Sequence, residues 1–167
     1  MSDTSNLTGK EAAALIKGFS EKANVCLFAT NLTSLPLSVR PMHCLKVEED
    51  GSLWFFSNKS SEQNSHIRKD QHVQLFFSNM GTSEYLSLYG SAEISRNKNK
   101  IEELWSPIVK NWFSEGKDDS DISLLCIRPE SGFYWDSQNN LIQMPKIAGE
   151  TVIGKPLDKG LQGRVSP

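Results

Sequence analysis

The chain has 167 residues, of which 38% are hydrophobic and 23% charged, the size and composition of one folded domain with a core of its own. Its 18 basic and 20 acidic residues leave a net charge of −2. That balance gives no support to a basic face of the kind a sequence-independent nucleic-acid binder needs, so no nucleic-acid partner is expected.

Met1 to Leu7 are small and polar, and predict a frayed start. Thr8-Gly-Lys-Glu11 has the form of a capping box, and Ala12, Leu15, Ile16, Phe19 and Ala23 then recur at helical spacing, which predicts a short amphipathic helix to about Lys22. Val25 to Thr30 reads as a strand, punctuated by Asn31 to Ser34. Leu37 to Val47 reads as a longer one. Pro41 lies within it and cannot donate to a ladder, so this strand belongs at an edge or carries a bulge. Glu49-Asp50-Gly51 is a hairpin signal. Leu53 to Ser57 follows as a strand with aromatic residues on both faces, and a polar stretch leads into a short helix ending near Asp70.

Val73 to Phe77 and Tyr85 to Ile94 predict two further strands, with Gly90 as a bend or bulge. Asn97 can cap a helix carrying Ile101, Leu104, Trp105, Ile108 and Trp112, which Pro107 should kink or restart. Ile122 to Ile127 and Gly132 to Trp135 read as two last strands. In the tail from Asn140 to Pro167, only Thr151-Val152-Ile153 looks ordered on its own. Short strands joined by hairpin turns, with helices at three places, predict a closed antiparallel barrel decorated by helices.

Most side chains that could carry chemistry have a plainer explanation. Cys26, Cys44 and Cys126 lie far apart, each beside apolar residues, and read as reduced core thiols. His43, His66 and His72 lack metal-ligand spacing and read as surface or hydrogen-bonded histidines. There is no G-x-S-x-G and no G-x-G-x-x-G, and Asp118, Asp119 and Asp121 read as a solvated loop with capping duty. No apolar run approaches a membrane span and no apolar segment follows a basic start, so a cytoplasmic protein without a membrane partner is expected.

One constellation stands out: Arg40 in a strand, the strand end Phe56-Ser57-Asn58, and Ser60-Ser61-Glu62-Gln63 entering a short helix. Serine hydroxyls and free N–H groups at a helix start can wrap a phosphate, and an arginine on a neighbouring strand can add a forked contact. The same residues read equally as a helix cap and a surface arginine.

The order of these segments is itself informative. Arg40-Pro41-Met42, the hairpin from Asp50 to Ser57, Ser61 with Ile67 after it, Val73-x-Leu75-Phe76-Phe77 and the Tyr85-to-Gly90 strand resemble the pyridoxamine 5′-phosphate oxidase-like split-barrel flavoproteins. Glu103 to Pro107, Trp112-Phe113-x-x-Gly116 and Phe133 to Asp136 narrow the resemblance to their bacterial general-stress-protein branch. It implies a six-stranded antiparallel split β-barrel with flanking helices over residues 8–136. A C-terminal tail over 137–167 would be partly extended and placed to pack on a dimer partner. The resemblance further implies FMN in a cleft between the subunits of a homodimer, and FAD or a deazaflavin offers the same phosphate and tricyclic ring.

Carried over by position, Arg40 and the backbone at Met42 would meet the flavin and its phosphate arm. Phe56 and Ser57 would meet the ribityl-phosphate region, Ser61 and Gln63 the phosphate, and Tyr85 the ring from the partner side. Trp135 is a wall against the isoalloxazine or a core aromatic. The family commonly has a lysine, often beside an arginine, where this chain has Gln63 and Glu62. A charged hydrogen bond is worth about 1.5–3 kcal/mol, so its loss weakens FMN by about one to two powers of ten, unless Lys59 or Arg68 compensates. No arginine–histidine pair follows the last strand to hold pyridoxal phosphate. Three functions follow: an FMN-dependent oxidoreductase whose cofactor carries the chemistry, a non-catalytic stress protein that sequesters or senses flavin, and an apo binding module or nucleic-acid barrel using aromatics such as Trp54, Phe55 and Phe76 as stacking platforms. The neutral-to-acidic charge balance counts against the last of these.

Overall fold

The structure is a computed structural model describing residues 6–136 and 161–167. Its elements run β1 (Leu7–Thr8), α1 (Gly9–Ala23), β2 (Val25–Thr30), β3 (Ser38–His43), β4 (Lys46–Val47), β5 (Leu53–Asn58), α2 (Glu62–Lys69), β6 (His72–Asn79), β7 (Glu84–Ser95), α3 (Lys98–Leu104), α4 (Pro107–Lys110), a 3₁₀ turn (Gly116–Asp118), β8 (Ile122–Asp136) and β9 (Leu161–Ser166). The path β1-β9-β8-β7-β6-β2-β3 forms one sheet, with β5 paired to the first half of β8 and β4 to β5. Six strands, β2, β3, β5, β6, β7 and β8, pair antiparallel as the barrel predicted from sequence requires. Three further strands, β1, β4 and β9, add to that count, and the parallel β1–β9 pair makes the sheet mixed. β3 and β5 approach each other without a ladder between them among the described residues, and there the barrel is split.

Alternation along the strands explains why the sheet curls around a core. Phe28 of β2, Leu53 and Phe55 of β5, Leu75 and Phe77 of β6, Leu86 and Leu88 of β7, and Leu125 and Ile127 of β8 point inward and are buried. Phe28 and Phe55 meet edge to face at 5.5 Å between centroids, linking the two sides of the split. Helix α1 closes this core with Ala12, Ile16 and Phe19. β5 is buried on both faces. Its other face carries Phe56 into a second cluster with Ile101, Leu104, Val109, Phe113, Ile122 and Leu124 under α3 and α4. The helix restart at Pro107 and the Asn97 cap, whose Oδ1 accepts from Lys100 N at 3.2 Å, are as predicted.

Several local expectations change. The one strand read over Leu37 to Val47 is two, β3 and β4, parted at Cys44 and Leu45 because β3 pairs with β2 and β4 with β5. Thr8 makes no capping hydrogen bond, because it pairs with Ser166 in the β1–β9 ladder instead. The two strands expected at the end of the barrel are one 15-residue strand, β8, long enough to serve β5 at one end and β9 at the other. Its register shifts opposite Tyr89 and Gly90, so the irregularity expected at Gly90 is a bulge in the β7–β8 ladder. Residues 161–166 form β9 against the second half of β8. Thr151-Val152-Ile153, expected to be ordered, lies outside the described residues. Pro41 sits in β3 at the end of the sheet, where its missing N–H costs no ladder bond.

The three cysteines are buried and unpaired, and burial raises each thiol, Cys44 to about 12. Among the described residues no helix is long and apolar enough to cross a membrane.

Candidate functional site

The expected site residues fall into two neighbouring groups and one separate face. The first group forms where β2 and β3 run side by side. The cross-strand pairs Phe28–Arg40 and Thr30–Ser38 put Arg40, Ser38 and Thr30 on the inward side of the split edge. Arg40 Nη1 donates to Thr30 Oγ1 at 2.9 Å and Nη2 donates to Ser38 Oγ at 2.5 Å. The guanidinium is half-buried, and desolvation pulls its pKa below the ordinary arginine value, with the Glu62 carboxylate opposing that shift. It forms no ion pair among the described residues. Two neutral hydroxyls therefore hold a partly desolvated cation, and the Glu62 carboxylate acts on it without forming an ion pair.

The second group lies at the start of α2. Ser61 caps the helix, its Oγ accepting from Asn64 N at 3.2 Å. Gln63 Nε2 donates to Ser57 Oγ at 2.6 Å and approaches Met42 Sδ at 3.6 Å. Ser57 Oγ donates to Asn64 Oδ1 at 2.7 Å, and Asn64 Nδ2 donates to Ser123 Oγ at 2.8 Å. Ser123 Oγ in turn donates to the Ser57 carbonyl at 3.1 Å. Ser57, Gln63, Asn64 and Ser123 are all buried, so this network is the satisfied polar floor beneath the helix start. Helix geometry leaves the N–H groups of Glu62 and Gln63 without intrahelical acceptors.

Asp121 fixes the loop that delivers this helix. Its carboxylate accepts from Asn58 Nδ2, Ser60 N and Ser60 Oγ, each at 2.9 Å, and these bonds hold it below the usual carboxylate range. The run of acids expected to be a solvated loop with helix-capping duty thus contributes a clamp on the turn before α2. Lys59 and Arg68, the cations expected as compensation, lie on the exposed side, where Arg68 Nη2 donates to the Lys59 carbonyl at 2.9 Å.

Phe56 projects away from both groups into the second core, packing on Trp105 and Phe113 with centroids 5.9 Å apart in each case. Only its backbone adjoins Ser57. Tyr85 and Trp135 are cross-strand partners on the outer face of β7 and β8, and Trp135, 39% exposed, packs on Phe133. In the free chain Trp135 is therefore a surface aromatic and not a core one. The same face carries a row in register across six strands, Pro41, Leu27, Phe76, Ser87, Phe133 and Arg164. Leu27 and Phe76 are 52% and 41% exposed within it.

Sequence reasoning missed Thr30, Ser38, His66, Asn64 and Ser123. Thr30 is the one of these with a legible signal, since it falls two residues after Phe28 on the inward face of β2.

Comparison with known proteins agrees with this architecture. The family model described as pyridoxamine 5′-phosphate oxidase like matches residues 11–158. The Neurospora crassa protein bli-3 is 23% identical over 113 residues, covering 62% of this chain and 54% of that protein, so the chain spans about half the length of this relative. A general stress protein 26 from Jannaschia superposes with a TM-score of 0.71 at 21% identity, over 93% of this chain and 98% of that one. A structure from Xanthomonas citri, described as a general stress FMN/FAD binding protein, gives 0.66 at 22% identity over 86% and 97%. These similarities in shape extend the split-barrel fold to this chain.

Proposed function

The chain belongs to the pyridoxamine 5′-phosphate oxidase-like family, and from that premise we propose that it is an FMN-binding protein of the general-stress type, acting as a flavin-dependent oxidoreductase. The observation that carries the reading is Arg40. A half-buried guanidinium held by Thr30 and Ser38, with no ion pair among the described residues, suits an anion delivered from outside. The residues present fit a flavin phosphate: Arg40 supplies charge, Ser61 a hydroxyl, and the start of α2 its N–H groups. Ser57 and Gln63 bond to each other and hold that helix start in place beneath the phosphate. The Xanthomonas protein, described as binding FMN or FAD, supports the same ligand class.

When bound, the flavin supplies the hydride or electron chemistry, and the protein need only bind it, orient it and shape access to it. Arg40 and Met42 line the inner side of β3 for this task, while Tyr85 and Trp135 stand on the outer face. A second copy of the chain packed on the exposed row through Leu27 and Phe76 would cover that apolar surface. It would also bring the partner's outer-face aromatics toward a shared cleft, the arrangement of a homodimer.

The test is the visible spectrum of purified protein, with identification of whatever ligand denaturation releases. FMN is the expected ligand, and addition of NAD(P)H should bleach the flavin band. A bound flavin that no nicotinamide donor reduces would point to a sequestering protein instead of an oxidoreductase. A colourless protein that takes up no added FMN contradicts both.

A further inference from the structure

The hydrogen bonds around Thr30 assign a direction to a chain of polar groups that ends at Arg40. Thr30 is fully buried, and its hydroxyl has a single hydrogen. Arginine has donors only, so Thr30 Oγ1 accepts from Arg40 Nη1. The Thr30 hydrogen must then go elsewhere, and the partner in reach is His66 Nδ1 at 3.0 Å. For Nδ1 to accept, His66 must carry its proton on Nε2, a tautomer assigned from its partners. Nε2 faces the Glu62 carboxylate at 3.7 Å, one helical turn earlier on α2.

We infer that His66 is the positioning residue for Arg40: by accepting from Thr30 it turns the hydroxyl's lone pairs toward the guanidinium and holds that cation aimed at the ligand phosphate. His66 also ties α2 to β2, so the two halves of the cradle, Arg40 on β3 and the helix start at Ser61, share one rigid reference. The relay runs from Arg40 through Thr30 to His66, each donor feeding the next acceptor, with the Glu62 carboxylate 3.7 Å beyond the far ring nitrogen. A buried hydroxyl deprived of its acceptor would compete with the guanidinium for orientation, because its hydrogen would have no other partner among the described residues. The role rests on the flavin-phosphate reading given above.

The test compares FMN with riboflavin, which lacks the phosphate, by fluorescence titration of the full-length protein, alongside ¹⁵N NMR of the His66 ring. His66→Leu should weaken FMN by about threefold to tenfold and leave riboflavin unchanged. His66→Asn, whose Oδ1 can accept where Nδ1 did, should restore FMN binding to within about twofold of wild type. In an Arg40→Ala background, His66→Leu should add nothing, because the group it positions is gone. The NMR of wild type should show Nδ1 unprotonated, and Thr30→Val should change its shift. Equal FMN binding by wild type and His66→Leu, failure of the Asn variant to rescue, or a proton on Nδ1 would overturn the assignment. If FMN is weakened by Arg40→Ala but not by His66→Leu, the flavin reading stands and this role falls. If wild type takes up no FMN, both fall.

Discussion

Asp121 shows how much of the site depends on side chains that carry no chemistry of their own. Its carboxylate gathers Asn58 and Ser60 into the turn before α2, and those donors hold it below its ordinary value of 3.8. A carboxylate depressed in the folded state stabilises at pH values above its unfolded value, and that contribution fades as pH falls through the lower folded value. Asp121→Ala should therefore lower the thermal midpoint at neutral pH, and its gap from wild type should close in acid; an equal gap at both ends would contradict the clamp. That Arg40 lies in a strand and Ser61 just before a helix was legible from the sequence, because both are local patterns. Thr30, His66 and Asn64 were not, since each matters only through a partner that the fold brings from another element. Gln63 was legible as a substitution in a motif, but its bond to Ser57 depends on β5 running beneath α2.

Among the elements, the meeting of β7 and β8 is the least tolerant. A Cβ added to Gly90 would lie 2.2 Å from the Arg128 carbonyl oxygen and 2.9 Å from Pro129 Cα, both on backbone that cannot swing aside. Gly90→Ala should cost about 1–3 kcal/mol or more by overpacking, read as a lower denaturation midpoint; an unchanged midpoint would mean the bulge relaxes freely. β2, β5, β6 and β7 could be read from sequence because alternation and turn residues such as Gly51, at φ +86°, are written locally. The single strand read over Leu37 to Val47 instead divides into β3 and β4, because each pairs with a different neighbour. β8 was read as two pieces because Arg128, Pro129 and Glu130 interrupt its apolar pattern, yet the ladder to β7 carries the strand through them. β9 escaped notice for the opposite reason. Leu161 to Ser166 has little pattern of its own, and its order comes from the edge of β8 that it completes.

At the scale of the whole molecule, the barrel separates two surfaces: a polar cradle at the split edge, and an apolar row across the outer face. Phe76 stands near the centre of that row, in register with Leu27 on one side and Ser87 on the other. If the proposed homodimer packs on this row, Phe76→Glu should turn it into a monomer in sedimentation velocity and weaken FMN as well, because a shared cleft needs both subunits. A variant that sediments as wild type does would place the subunit contact elsewhere. The central claim is that Arg40 receives a flavin phosphate, and the direct measurement is the ratio of riboflavin to FMN dissociation constants in wild type and Arg40→Ala. Wild type should prefer FMN by about tenfold or more, the worth of a charged hydrogen bond, and Arg40→Ala should lose most of that preference while still binding riboflavin. Equal affinity for the two flavins in wild type, or a preference that survives Arg40→Ala, would contradict it.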